Sequence, residues 1–260
     1  MNSNKEYPIH ISPEILELLG PSLYTNIYYI LAELIANSYD ADAENVWLDL
    51  SGDSIIIEDD GHGMTYAETV NKYLEVAKST RNTEAESKSR KFQRPKMGRK
   101  GIGKLAALAV STEVNVKTKS NGELSGFVLT RNVPKDRNLH PIPESEITFS
   151  NISESGTRIE MLNSEFKLPA TTITVKNNLA KFFPQLSSNP KNPFVLHIKG
   201  KDGINKKLDN FVDSLATSLS MNIIQYKNTV KFFSSLFSVS EIMVYLPLLL
   251  ITLLLLCNGN

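Results

Sequence analysis

Three short clusters between positions 33 and 104 combine residue types and spacings that can do chemistry. The first is Glu33-Leu34-Ile35-Ala36-Asn37-Ser38-Tyr39-Asp40-Ala41. On a helix, Glu33, Asn37 and Asp40 fall at i, i+4 and i+7 and share one face. Ile27, Ile30, Leu31 and Leu34 take the neighbouring stripe that faces a core. A carboxylate, an amide oxygen and a second carboxylate on one face suit a hard cation such as magnesium with its waters. The plainer reading is a solvated polar face.

The second cluster, Asp59-Asp60-Gly61-His62-Gly63-Met64, follows the strand-like Ile55-Ile56-Ile57. A carboxylate at a strand end followed by glycines can meet a planar ligand without side-chain obstruction, and Asp59 would accept a hydrogen bond from an exocyclic amine. An ordinary strand-to-helix turn uses the same residues. The third is Gly98-Arg99-Lys100-Gly101-Ile102-Gly103-Lys104, leading into Leu105-Ala106-Ala107-Leu108. Glycine-rich backbone ahead of a helix presents free N–H groups and a positive dipole to phosphates. Lys88, Arg90, Lys91, Arg94 and Lys96 add positive charge with no acid among them; a flexible basic loop is the bland alternative. Two look-alikes fail on context. The stretch nearly spells a Walker A loop, but Leu105 stands where Ser or Thr should bind magnesium. The dinucleotide fingerprint it mimics lacks a preceding strand.

These clusters need elements to hold them. Ser12-Pro13 reads as a helix start and Gly20-Pro21 as its stop. A longer helix is expected from about Ser22 to Tyr39. Val46, Leu48 and Leu50 alternate, Ser51-Gly52-Asp53 turns, and Ile55 and Ile57 alternate again, which is a strand hairpin. Thr65-Tyr66-Ala67-Glu68 is a capping box opening a helix to roughly Lys78. Ser79 to Gly103 reads as a long mobile loop, of the kind that is usually functional. A short apolar helix covers Lys104–Val110. Strands are expected at Glu113–Thr118, Phe127–Thr130, Ile147–Phe149, Thr157–Leu162 and Phe194–Ile198, with a helix from Thr172 to Phe183.

Composition sets the bounds. The 260 residues carry 28 basic and 28 acidic groups, so bulk electrostatics do not favour nucleic acid as the main partner. An apolar share of 41% supports a proper core. The single cysteine, Cys257, excludes an internal disulfide framework and a cysteine zinc site. A reducing, cytoplasmic setting is expected, and the first residues show no secretory signal. Residues 242–257 are almost wholly apolar, a little short of the ~20 needed to cross a bilayer. They read as a membrane anchor, a buried helix lacking its partner, or an abnormal chain end.

In order and spacing, the clusters resemble the Bergerat-fold ATPases, the group of gyrase, the large heat-shock chaperone, histidine kinases and MutL. Glu33…Asn37…Asp40-Ala41 is similar to the group's first box. Asp59-Asp60-Gly61-His62-Gly63 is similar to the second, and Gly98-Arg99-Lys100-Gly101-Ile102-Gly103 to the third. Gly156-Thr157, heading a strand, is similar to the fourth. The resemblance spans about residues 8 to 200 and is nearest the MORC- and chaperone-like bacterial members.

That resemblance implies an α+β fold, a two-layer sandwich with helices on one face of a mixed, largely antiparallel sheet. It implies ATP and magnesium as ligands. Glu33 would be the general base, Asn37 the magnesium ligand, and Asp59 the reader of the adenine amino group, with Thr157 supporting it through water. Asp40, Gly61, Gly63 and Met64 would line the nucleotide. Ser79 to Gly103 would be the lid, with Gly98, Arg99, Lys100, Gly101, Ile102, Gly103 and Lys104 at the phosphates, and lid closure would exclude water. The domain division expected is 1–200 for ATP binding and 201–260 for a partial C-terminal segment.

Members usually complete catalysis with a Lys or Arg from a following domain. Beyond Gly200 this sequence offers Lys206 and Lys207, so weak Mg-dependent hydrolysis coupled to conformational change is the expectation. The alternatives are a non-catalytic nucleotide-gated binding module and a histidine-kinase-like phosphotransfer domain. Glu33 speaks against the latter, since transfer to histidine needs no water-activating carboxylate. An ATP-dependent homodimer and a protein client are further expectations.

Overall fold

The computed structural model describes residues 5–9, 26–75, 87–98, 103–131, 137–164, 171–183 and 190–208. The expected helix start at Ser12-Pro13, the remaining lid residues and the apolar run 242–257 lie outside them.

Hydrophobic periodicity sets the first elements. Helix α1 (Ile27–Asp40) begins where the Asn26 side chain accepts the Tyr28 N–H at 2.9 Å, and it buries Ile27, Ile30, Leu31, Leu34 and Ile35. Strands β2 (Asn45–Asp49) and β3 (Ile55–Asp59) follow as an antiparallel hairpin, with Leu48 opposite Ile57 and Val46 opposite Asp59. Alternation turns Val46, Leu48, Ile55 and Ile57 toward the core. Thr65 and Glu68 form the expected capping box on α2 (Tyr66–Glu68), whose continuation over Thr69–Tyr73 winds as π-turns. A 3-10 segment, Gly103–Ala109, then carries five consecutive core residues from Leu105.

Strands β4 (Glu113–Ser120) and β5 (Glu123–Thr130) close over Asn121-Gly122, both at positive φ, the backbone that a two-residue hairpin turn requires. The remaining elements are β6 (Asn138–Pro141), β7 (Gly156–Leu162), α3 (Thr172–Ala180), β8 (Val195–Lys199) and β9 (Asn205–Leu208), with β1 (Tyr7–Pro8) at the far edge. One nine-stranded sheet results, in the order β1-β6-β5-β4-β7-β3-β2-β8-β9. Among these pairs only β2–β8 is parallel. The sheet's apolar face and the helices share one continuous core, so the α+β expectation holds.

Two expectations are corrected. Ile147–Phe149 is not a strand. Glu144–Glu146 forms a 3-10 turn, and Ile147 is buried against the backbone of Gly126, where an added Cβ would come within 3.0 Å of its Cδ1. Strand β6 instead pairs with β5, through Phe127 opposite Pro141 and Val128 opposite His140. The helix after Thr65 leaves α geometry at Thr69 and is capped by Leu74, short of Lys78.

The opposite face of the sheet carries charge. Arg158 on β7 bonds Glu58 at 2.7 Å and Glu160 at 2.6 Å, and Lys117 on β4 reaches Glu160 at 3.1 Å. The backbone of Ser150 and Asn151 caps Glu58, which is fully buried. These pairs satisfy one another and leave the core face to the site.

Candidate functional site

Helix α1 is buried on most sides and leaves one stripe open. Tyr29 and Glu33 are exposed, and Asn37 and Asp40 are half-buried. The expected i, i+4, i+7 face is therefore real. Among the described residues, neither the Glu33 carboxylate nor the Asn37 amide has a side-chain hydrogen-bond partner. Partial desolvation, together with the Asp40 charge two turns on, pushes the Glu33 carboxyl above its ordinary 4.5, even though the side chain opens to solvent.

Asp59 ends β3 on the core face and is buried. Its Oδ2 accepts the Ser38 hydroxyl at 2.9 Å and its Oδ1 accepts the Gly61 N–H at 3.0 Å. Burial lifts its carboxyl to about 6, against the lowering effect of the Ser38 and Gly61 bonds, while the Asp60 charge adds to the rise. Asp60 itself turns away, accepting the N–H groups of Glu44 and Asn45 at 2.8 and 2.7 Å.

The two glycines after Asp59 answer first to the protein. A Cβ on Gly61 would meet the Ala41 carbonyl oxygen at 2.8 Å. Gly63, at φ +61, lies so close to β4 that a Cβ would fall 1.9 Å from the Lys119 carbonyl oxygen. The following Met64 N–H donates to Thr118 Oγ1 at 2.9 Å. Thr118 also donates to the Gly156 carbonyl at 3.0 Å and lies 3.3 Å from Thr157 Oγ1. Asp59, Thr157 and Thr118 are successive register partners on β3, β7 and β4, so they form one polar row across an otherwise apolar face.

Sequence reasoning missed Ser38 and Thr118. Both carry a usable signal. Ser38 falls four residues after Leu34 on the buried stripe, and Thr118 falls two after Val116 in the inward alternation. A polar group in such a place needs a partner.

The stretch of the expected lid over 87–98 is held in place. Asp40 accepts the N–H groups of Met97 and Gly98 at 2.8 and 2.9 Å. Asp42, left-handed at φ 63 just past the helix, accepts those of Lys91 and Phe92 at 2.6 and 3.1 Å. Burial acts to raise the Asp42 carboxyl, but bonds from Ser89, Lys91 and Phe92 outweigh it and hold it below 3.8. Arg94, 1% exposed, donates to the carbonyls of Tyr39 and Ala43 at 3.1 and 2.8 Å and to that of Pro193. Its guanidinium lies over the rings of Tyr39 and Phe92. Arg90 pairs with Glu68 and Lys91 with Glu44, each at 2.7 Å. The mobile basic loop expected here is thus an ordered turn over 87–98, with Arg90 and Lys91 paired to acids from elsewhere in the chain and Arg94 bonded to backbone carbonyls. Arg99, Lys100, Gly101 and Ile102 lie outside the described residues, and of Gly103 and Lys104 only the backbone is described.

The structure therefore brings Glu33, Asn37, Asp40, Met64, Gly98 and Thr157 into one neighbourhood around α1, Asp59 and the ends of β4 and β7. Asn37 Oδ1 would stand 4.0 Å from a Cβ built on Gly98, which ties the first cluster to the third. Ser155 Oγ donates to the Gly61 carbonyl at 2.8 Å, which ties the second to the fourth.

The family model described as "Histidine kinase-, DNA gyrase B-, and HSP90-like ATPase" matches residues 24–157. The chain is 29% identical over 195 residues to a Herpetosiphon aurantiacus protein named "Putative type II restriction enzyme HgiDII", covering 72% of this chain and 31% of that one. It is 32% identical over 133 residues to the chaperone protein HtpG of Coxiella burnetii, covering 42% and 21%. With HtpG of Buchnera aphidicola it shares 25% identity over 199 residues, covering 67% and 30%. The chain spans about a third or less of the length of these relatives. Because the family match takes in just over half of the chain and runs from before Glu33 through Asp59 and Gly98 to Thr157, the chain belongs to the histidine kinase-, DNA gyrase B- and HSP90-like ATPases.

Proposed function

We propose that this chain binds ATP with magnesium and hydrolyses it slowly, coupling the cycle to movement of the lid. Family membership supports ATP as the ligand. The observation that carries the reading is Asp59: a buried carboxylate, pinned by Ser38 and Gly61, on the core face beside Thr157. Such a fixed acceptor suits the adenine amino group, and burial strengthens its preference for a donor over solvent. Asn37 fits magnesium by donor type, an amide oxygen, and the Glu33 carboxylate, which has no side-chain hydrogen-bond partner among the described residues, fits the attacking water. When bound, the ion would neutralise phosphate charge. Glu33, with its raised carboxyl, would take the proton of the attacking water. Asp40 and Asp42 would hold the lid's stretch from Lys91 to Gly98, and residues 99–104 would meet the phosphates.

The domain division proposed is 1–200 for ATP binding and 201–260 for a C-terminal segment whose first residues, Asn205–Leu208, still add an edge strand to the sheet, with a homodimer and a client protein as partners. A second reading, a nucleotide-gated module without turnover, is favoured by the Glu33 carboxylate standing open with nothing among the described residues to orient it.

Calorimetric titration of magnesium and a non-hydrolysable ATP analogue into the full chain, beside Asp59→Asn, tests the proposal. Saturable binding lost in the variant supports it; equal binding by both, or none by the wild type, overturns it. Single-turnover hydrolysis then separates the two readings.

A further inference from the structure

We infer that the corner where the β8–β9 hairpin meets the first turn of α3 docks on an anionic phospholipid surface.

The chain as a whole is neutral, but its charge is unevenly placed. Residues 171–183 and 190–208 hold seven lysines and one acid, Asp202, an excess of six positive charges. Lys176 on α3 is half-buried, while Lys181, Lys199, Lys201, Lys206 and Lys207 are exposed. Asp202 is taken up by the fold. It accepts the Thr172 N–H at 2.9 Å and the Ile204 N–H at 3.1 Å, and it also bonds Thr172 Oγ1. Lys199 pairs with Asp49 at 3.3 Å. Among the described residues, no acid pairs with Lys176, Lys201, Lys206 or Lys207.

Apolar groups stand among these charges. Three large hydrophobic side chains are exposed among the described residues, and two of them are here, Ile173 at 47% and Ile204 at 48%. Thr172 Oγ1 lies 3.0 Å from the Ile204 carbonyl oxygen, which sets Ile204 beside the first turn of α3. Ile173 and Lys176 fall at i and i+3 on that helix and share a face. Lys206, opposite the buried Ile198, falls on the core side of the sheet, and Lys207 falls on the other. Ile173 and Ile204 thus share one corner with Lys176, Lys201 and Lys206.

Two plainer readings explain only part of this. Lysines on an edge strand deter pairing with other sheets. That covers Lys206 and Lys207, but neither Lys176 and Lys201 nor the isoleucines left open beside them. A nucleic-acid backbone would use the lysines and has no use for the isoleucines. An anionic bilayer uses both, because its head groups meet the lysines while the isoleucines enter the interface. The same chain carries the almost wholly apolar run 242–257, and stable membrane anchoring takes two such signals, one apolar and one basic.

The test is co-sedimentation of the full chain, without nucleotide, with phosphatidylcholine vesicles that contain or lack phosphatidylglycerol. The ratio of the two partition coefficients separates the charged corner from any attraction of the apolar run for neutral lipid. The wild type should prefer the anionic vesicles by roughly tenfold or more and lose that preference as salt rises, since each lysine at the surface is worth about fivefold. Lys201→Glu with Lys206→Glu should bring the ratio close to one, and Lys201→Arg with Lys206→Arg should keep it. Ile173→Ser with Ile204→Ser should weaken binding to the anionic vesicles several-fold. Equal partition of the wild type, a ratio that survives the glutamates, or full binding without the isoleucines overturns the inference. So does a short DNA duplex that displaces the vesicles and binds the isoleucine variant as tightly as the wild type, which would assign the corner to nucleic acid.

Discussion

The Asp40 carboxylate holds the Gly98 N–H at 2.9 Å, and its other oxygen holds the neighbouring Met97 N–H at 2.8 Å. The last residue of α1 thereby fixes where the glycine-rich segment starts, almost sixty residues later in the chain. A Cβ on Gly98 would come within 3.1 Å of the same carboxylate, so the glycine lets the backbone close on the acid. Charge-assisted bonds to backbone are stronger than neutral ones. Asp40→Ala should cost about 2–3 kcal/mol in denaturant unfolding, since two N–H groups lose their acceptor. Asp40→Asn should cost less, because its amide oxygen still satisfies one of them. Equal stability of all three proteins would show that the bond is incidental.

Arg94 supports the same segment from below. Its buried guanidinium donates to three backbone carbonyls and to Asn192, and it stacks against aromatic rings. Arg94→Met fills much of the space but leaves those carbonyls unpaired, so a loss of about 3 kcal/mol or more is expected. Arg94→Lys should not restore stability, because an ammonium cannot match the planar fork of donors. Thermal or denaturant melts of both variants check this. A lysine variant as stable as the wild type would contradict it.

What the sequence showed and what it hid divide along the range of the interactions. Helix α1 and the β2–β3 hairpin are written in local periodicity, and the capping box at Thr65 and Glu68 spans four residues. The site residues on them could be found because each cluster is short and sits on one element. The 87–98 turn could not be read this way, since its order comes from Asp40, Asp42, Asn192 and Pro193, all far away in the chain. Edge strands hid for another reason. Asn205-Lys206-Lys207-Leu208 is paired on one side and mostly exposed, so it shows no alternation, and Lys206 and Lys207 form part of β9.

Asp59 makes the pH dependence specific. Its carboxyl is raised in the fold to about 6 from 3.8, so between those values the folded protein binds the proton more tightly than the unfolded chain. Its contribution to stability is full below pH 3.8 and is lost as pH rises through 6. At 1.36 kcal/mol per pKa unit this amounts to about 3 kcal/mol. Glu68 acts oppositely and in a separate window: burial acts to raise its carboxyl, but Arg90, Thr65 and Lys72 outweigh it and hold it down to about 2, so it stabilises above pH 4.5 and loses that as pH falls toward 2. Asp59→Asn should flatten the unliganded stability curve between pH 4 and 6 and leave the lower limb intact. An unchanged curve in that window would mean that the Asp59 proton is not coupled to folding.

Binding should run against stability at the same residue. An amine donor favours ionised Asp59, so nucleotide affinity is expected to rise with pH up to about 6 and then level, while the unliganded fold loses stability over that range. Glu33 separates binding from turnover. Its carboxylate touches no protein partner among the described residues, so Glu33→Gln should leave nucleotide affinity within about twofold while lowering hydrolysis by ~10²–10⁴. The raised Glu33 carboxyl also places the acid limb of turnover above the ordinary 4.5, and that limb should vanish with the side chain's charge. Affinity profiles that level near pH 6 in both wild type and Glu33→Gln, with turnover lost in the variant, would assign recognition to Asp59 and proton transfer to Glu33. Turnover unchanged in Glu33→Gln would assign that proton transfer elsewhere.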